Sequence, residues 1–323
     1  MPNAAPIDPY TFSPITRQAA ACIPPGPDDR NPAPPPARYR SVFHPELFAG
    51  QVCWVTGGGS GIGRCVAHEL AALGAQVVIS GRSVDKLERV SAEISDDGGR
   101  CDPIAFDIRD EDAVKAGMAA IVARHGQVHA LVNNAGGQFP APLMAISKRG
   151  FDAVVANNLT GGFLMMREAF NQSMQQHGGA IVNMTADFRN GMPGMGHSGA
   201  ARSGMSNLTM TAAYEWAQAG VRVNAVAPGW IASSGMDTYG GAMRTLIPRL
   251  KAHVPLGRLG LEAEVSAAIV FLLSPAAAFI TGVTLQIDGA ASLGSDVFPL
   301  EAPKHAQPFD GFHRAATPDV LKP

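Results

Sequence analysis

From Gly50 onward the apolar residues fall into two alternating patterns. Residues 51–56 (Gln51-Val52-Cys53-Trp54-Val55-Thr56) form a nearly unbroken apolar run, and a glycine cluster follows. Residues 62–73 carry Ile62, Val66, Leu70 and Leu73 at helical spacing, and Gly74 closes them. The alternation then repeats. A strand is predicted at 76–80, a helix at 84–94, and a strand at 104–106. A helix at 111–125 precedes a strand at 130–133, and a long helix ends near His177-Gly178-Gly179 before a strand at 180–184. A helix at 199–219 precedes a strand at 221–226, and a helix at 262–273 precedes a last strand at 283–287. Strands that alternate with helices of this length imply right-handed crossovers and a parallel sheet covered on both faces. The predicted fold is α/β: a single doubly wound, Rossmann-type parallel sheet of about seven strands flanked by helices.

The flanks have a different texture. Eleven of the 25 prolines lie in residues 1–40. Proline donates no backbone hydrogen bond, so a Pro-rich N-terminal arm is expected over 1–40, with the folded domain at 41–297 and a polar tail at 298–323. Lys and Arg number 25 against 27 Asp and Glu, giving a net charge of -2 and no basic stripe, which argues against nucleic-acid binding. No apolar run approaches the roughly 18 residues of a membrane span. The four cysteines form no C-x-x-C pair, and the start has no basic segment followed by an apolar one. A cytoplasmic protein is expected.

The glycine cluster, Thr56-Gly57-Gly58-Gly59-Ser60-Gly61-Ile62-Gly63, sits where the first strand turns into the first helix. A dinucleotide pyrophosphate needs bare backbone and a helix N-terminus there. The second predicted strand ends in Ser80-Gly81-Arg82, with no acid for a ribose 2′-hydroxyl. Arg82 instead suits a 2′-phosphate, so NADP(H) is expected over NAD(H). Asp107 follows the third strand on the adenine side, or else caps the next helix.

Four motifs in order, Thr56-Gly57…Gly61-Ile62-Gly63, Asn133-Asn134-Ala135-Gly136, Asn158-Leu159-Thr160-Gly161 and Pro228-Gly229, resemble the short-chain dehydrogenase/reductase family over about residues 48–293. The resemblance implies a nicotinamide cofactor and a homotetramer or homodimer. It implies that Gly57, Ser60, Gly61, Ile62, Gly63, Asn133, Ala135 and Gly136 line the cofactor, and that Pro228, Gly229 and Ile231 meet its nicotinamide end.

The departures from that pattern carry more information. Family members place a tyrosine acid/base four residues before a lysine; here Ser198 stands at the tyrosine position and Arg202 at the lysine position. Tyr214 and Tyr239 are followed four residues later by Gln218 and Met243, so neither restores the motif. The stretch His197-Ser198-Gly199-Ala200-Ala201-Arg202 is similar to a divergent branch, the 2,4-dienoyl-CoA reductases and peroxisomal trans-2-enoyl-CoA reductases, and the run Gly191-Met192-Pro193-Gly194-Met195-Gly196-His197 resembles bacterial citronellol/citronellal dehydrogenases.

A serine hydroxyl is too weak an acid to replace tyrosine unaided, and arginine does not exchange protons near neutral pH. Conjugate reduction of an enoyl thioester instead needs donors aimed at a developing oxyanion. Ser198 backed by Arg202 suits that, with Asn158 holding backbone and water and His197 as a proton source. Arg202 would also meet the cofactor ribose. The main expectation is an NAD(P)-dependent oxidoreductase acting on an α,β-unsaturated acyl thioester. A dehydrogenase of acyclic terpenoid alcohols, with His197 as base, is the alternative, and a non-catalytic NADP(H) sensor is the third reading. Each residue also has a bland reading: Ser198 as a helix cap, Arg202 paired with Asp187, His197 as a structural histidine. The small aliphatic or acyl-thioester substrate is expected against the segment 232–249, which carries Gly235, Met236, Gly240, Gly241 and Met243.

Overall fold

A computed structural model describes residues 38–293 and 300–322; nearly all of the expected N-terminal arm lies outside the described residues. The strands are β1 (Val52–Thr56), β2 (Gln76–Gly81), β3 (Arg100–Ala105), β4 (Ala130–Asn133), β5 (Gly179–Met184), β6 (Val221–Pro228), the short β7 (Ile231–Ala232) and β8 (Gly260–Leu261), and β9 (Thr284–Ile287). The helices are α1 (Gly61–Ala72), α2 (Val84–Asp96), α3 (Glu111–His125), α4 (Lys148–Val155), α5 (Gly161–Ala169), α6 (Gln175–His177), α7 (Gly196–Glu215), α8 (Gly241–Leu246) and α9 (Glu262–Leu273).

Seven strands pair in parallel in the order β3-β2-β1-β4-β5-β6-β9, and β7 pairs with β8 apart from them. Every residue of β1 and β4 is buried, because helices cover both faces of the sheet. Successive side chains of β1 therefore feed two separate cores. Cys53 and Val55 pack with Val77, Ile79, Leu70 and Ile269 on one face. Val52 and Trp54 pack with Val78, Leu131, Met118 and Met205 on the other.

Two local features depart from a plain reading of the pattern. Strand β3 starts at Arg100, earlier than the apolar residues suggest, and contains Pro103. It lies at the sheet edge, where a missing donor is tolerated. Helices α4, α5 and α6 run on from one another through two wide π turns, Ala156–Thr160 and Phe170–Met174. The first of these carries Asn158, and such turns concentrate at functional sites.

The described tail, 300–322, is tied to the domain by specific contacts. Phe312 is buried against Tyr39 and His68. Arg314 reaches Asp97 at 2.7 Å, and the Arg40 N–H donates to Gly311 O. Farther on, the Val320 N–H donates to Asp237 Oδ1 at 2.9 Å, and Val320 packs with Met236, Ile247 and Leu250. Among the described residues no helix is long and apolar enough to cross a membrane.

Candidate active site

Strand order reverses at β1, which pairs with β2 on one side and β4 on the other. The loops leaving β1 and β4 diverge there and open a crevice at the strand C-termini. Glycine is required on sterics in the β1–α1 loop. Gly57 and Gly61 have φ of 67° and 57°. A Cβ on Gly63 would lie 2.4 Å from Asn134 Nδ2 and 2.5 Å from Gly57 O. Asn134 clamps the two loops: its Nδ2 donates to Thr56 O at 2.9 Å, and its N–H donates to Thr56 Oγ1 at 3.0 Å. The N-cap Ser60 makes no capping bond with its side chain, and no acid occupies the first turn of α1.

A cleft of about 220 Å³ continues from this loop past the end of β2. Arg82 and Lys86 both line it, and neither makes a hydrogen bond or ion pair among the described residues. Asp107 lines it too, but its carboxylate is gripped by Arg109 Nη2 at 2.5 Å. That hydrogen bond holds the Asp107 carboxyl below its usual range.

The reacting end is a cavity of about 520 Å³. Gly57, Ser60, Gly61 and Ile62 line one end; Ala135, Gly136, Arg202, Pro228, Gly229 and Ile231 line the middle; Met236, Met243 and Ile247 line the far end. Arg202 is 8% exposed. Its Nη1 donates to Met184 O at 2.5 Å, and its buried Nε has no partner among the described residues. Burial pulls its pKa down to about 10, so it remains a cation at neutral pH. It makes no pair with Asp187. A Cβ on Gly136 would fall 2.6 Å from both Arg202 Nη2 and Asn158 Oδ1, so that glycine admits the two side chains. Asn158 is locked to the same loop: Gly137 N–H donates to its Oδ1 at 3.0 Å, and its Nδ2 donates to Gly137 O at 2.8 Å.

Five of the expected residues do not form cavity or cleft wall. Gly63 lies behind the glycine loop, and Asn158 braces the β4–α4 connection. Asn133 is buried, donating to Gly162 O at 3.1 Å and Asn183 Oδ1 at 2.9 Å. His197 is fully buried with its ring 4.4 Å from that of Phe139, edge to face, and neither ring nitrogen has a partner among the described residues. Ser198 is also fully buried and is the third residue of α7, not its cap. Its hydroxyl donates to Gln138 Oε1 at 2.5 Å. Gln138 Nε2 in turn donates to the Tyr239 hydroxyl at 3.1 Å, and both Gln138 and Tyr239 line the cavity. The position expected to face substrate is thus linked to the cavity through a glutamine.

A family profile described as enoyl-(acyl carrier protein) reductase matches residues 57–292. The chain belongs to the short-chain dehydrogenase/reductase family. It is therefore an oxidoreductase of that family, which uses NAD(P)(H). The peroxisomal 2,4-dienoyl-CoA reductase [(3E)-enoyl-CoA-producing] of Danio rerio is 34% identical over 80% of this chain and 87% of its own length. A probable 2,4-dienoyl-CoA reductase of Bacillus subtilis (strain 168) is 36% identical over 73% of this chain and 94% of its own. The solved structure of a citronellol catabolism dehydrogenase from Pseudomonas aeruginosa PAO1 is 62% identical, covering 79% of this chain and 100% of that one, with a TM-score of 0.72.

For a member of this family the cradle fits a dinucleotide. A Cβ at Gly57, Gly58 or Gly63 would strike Asn134, Ile79 or the Gly57 backbone, so the loop stays close-packed bare backbone there, and α1 brings its N-terminal amides to the cavity end. Sequence reasoning passed over Lys86, Asn134, Gln138 and Tyr239. Lys86 lies one helical turn past Arg82, a spacing visible in the sequence. Tyr239 is the single tyrosine within 232–249.

Proposed function

We propose that this protein is an NADP(H)-dependent reductase of α,β-unsaturated acyl thioesters. The observation that carries the reading is Arg202: a buried, permanent cation at the cavity wall, where the family motif has its lysine, with a non-ionising Ser198 at the tyrosine position. With these two residues α7 supplies a stabiliser of negative charge and no acid/base of its own. NADPH supplies a hydride when bound. Arg202 would hold the ribose side and the negative charge that develops on the thioester oxygen. Asn158 and Gly137 would keep the cavity roof in place through their paired hydrogen bonds. Met236, Met243 and Ile247 offer the apolar wall that an aliphatic chain requires. The preference for NADP(H) rests on Arg82 and Lys86, two cations that line the cleft beside the end of β2, where Ser80-Gly81-Arg82 offers no acid to a ribose 2′-hydroxyl. The names of the two dienoyl-CoA reductases point to the same substrate class.

A second reading, oxidation of an acyclic terpenoid alcohol or reduction of its aldehyde, is favoured by the 62% identity to the citronellol catabolism dehydrogenase. One plate separates the two: NADPH oxidation with trans-2-enoyl- and 2,4-dienoyl-CoA thioesters and with citronellal, and NADP⁺ or NAD⁺ reduction with citronellol. Consumption with a thioester is the expected result. Turnover confined to citronellal or citronellol overturns the first reading in favour of the second. Silence with NADPH still bound overturns both and leaves the sensor reading.

A further inference from the structure

We propose that Tyr239 is the proton-transferring residue of this site, supplied by the segment after β7 in place of a tyrosine on α7. The proposal rests on the oxidoreductase reading above and holds for either substrate class. Hydride transfer to an enoyl thioester leaves one proton to be delivered. Among the residues that line the cavity, the ionisable side chains are Arg202 and Tyr239. Arginine stays protonated through the neutral range and is a poor proton donor. His197 and Ser198, the other candidates on α7, are fully buried outside the lining.

The hydrogen-bond polarity places a hydrogen where it is needed. Ser198 Oγ–H donates to Gln138 Oε1, which fixes the amide, and Gln138 Nε2–H donates to the Tyr239 oxygen. The phenol's own hydrogen is therefore not used by Gln138 and is left for an acceptor in the cavity. A donor on the phenolic oxygen also steadies the phenolate that remains after transfer. Arg202 lines the same cavity as Tyr239. The ring is held from behind. Tyr239 packs on the cluster of Met236, Ile247, Leu250 and Val320, and Asp237, two residues earlier, accepts from the Val320 N–H.

The step balances as follows. A hydride adds to the β-carbon, and the C=C electron pair moves toward the thioester oxygen beside Arg202. The Tyr239 O–H bond breaks, its proton forms the new C–H bond at the α-carbon, and water returns a proton to the phenolate. With a terpenoid alcohol the direction reverses: the phenolate takes the hydroxyl proton as hydride leaves carbon.

Tyr239→Phe keeps the ring and removes the proton. With whichever compound of the plate turns over, its kcat is expected to fall about a hundredfold. KM and the NADPH Kd should stay within a fewfold, and the solvent deuterium effect on kcat of the wild type should change. Gln138→Leu, which leaves the phenol unsupported, should lower kcat about tenfold with the Tyr239→Phe background insensitive to it. A Tyr239→Phe enzyme within threefold of wild-type kcat overturns the proposal. A wild type silent on every compound overturns the substrate reading separately. Tyr239 is then tested by binding alone, with hexanoyl-CoA and citronellol titrated into the NADP⁺-loaded protein. A tyrosine ultraviolet difference band that Tyr239→Phe abolishes supports the placement; no band, or an equal band in the variant, overturns it.

Discussion

The two ends of the crevice are built by different means. The nucleotide end is made of backbone: Gly57, Gly61, Gly63 and Gly136 stand where a side chain would strain the chain or strike its neighbours. The reacting end is made of side chains from distant segments: Gln138 after β4, Ser198 and Arg202 on α7, and Tyr239 after β7. A backbone cradle is encoded by local spacing, so it tolerates little change and is shared widely. A side-chain constellation is encoded by contacts across the fold, so one member can move to another segment while the cavity keeps its shape. The motif tyrosine replaced by Ser198 on α7 and the present Tyr239 are an instance of that freedom.

The sharpest way to break the contrast is at Gly63. Gly63→Val should abolish nucleotide binding, lowering NADPH affinity about a thousandfold, or ~4 kcal/mol, in a fluorescence titration. Circular dichroism should still report a folded sheet. A valine variant that binds normally would show that the cradle is not sterically determined. At the other end, Arg202→Met should cut kcat about a hundredfold while moving the NADPH Kd by less than tenfold, and Arg202→Lys should restore part of the rate. Equal losses in kcat and affinity would instead assign Arg202 to the cofactor alone.

Glu262 opens α9 beside the glycine loop. Its Oε1 is 3.9 Å from where a Gly61 Cβ would sit. Burial raises its pKa to about 7 from an ordinary 4.5. The folded state therefore holds a proton that the unfolded chain has already released between those values. Stability from this group is complete below about pH 4.5 and is lost as pH rises to about 7, by about 3 kcal/mol. Denaturant melts of Glu262→Gln should lack that slope and match or exceed the wild type above pH 7; an identical pH profile would remove Glu262 as its source.

Smaller still is the coenzyme choice. Arg82→Ala with Lys86→Ala should weaken NADPH about tenfold and leave NADH unchanged in the same titration. Parallel losses for both coenzymes would deny the two cations a role at the 2′-phosphate. Val320→Ser should raise substrate KM a fewfold and cost about 1 kcal/mol of stability, read by thermal melt and steady-state kinetics. Unchanged kinetics would detach the tail from the reacting end.

The fold was largely legible. Helices 111–125 and 262–273 and strand 130–133 fall at the expected residues, because their apolar periods are strong and bounded. Strand β3 begins four residues before the expected 104–106 and runs through Pro103, which its position at the sheet edge tolerates. Helix α7 begins at Gly196 and ends at Glu215, with Trp216 to Gly220 forming a tighter turn that the apolar pattern alone does not separate from it. The glycine loop was legible for the reason it exists: close approach of backbone requires glycines at fixed short spacings. The Ser198–Gln138–Tyr239 chain was not, since its members lie 60 and 101 positions apart and nothing local marks them as partners. Reading Ser198 as a residue that meets substrate assumed that a position keeps its exposure when its side chain shrinks. A serine does not reach as far as a tyrosine, and here Gln138 takes the space in front of it.

The bond from Val320 to Asp237 spans 83 positions and belongs to the outer wall of the substrate cavity. On the ribosome, the nucleotide cradle and every strand of the parallel sheet are synthesised before that wall receives its support. A nascent chain thus acquires the means to hold coenzyme before its substrate loop is braced, and assembly of the reacting end waits for a segment outside the sheet.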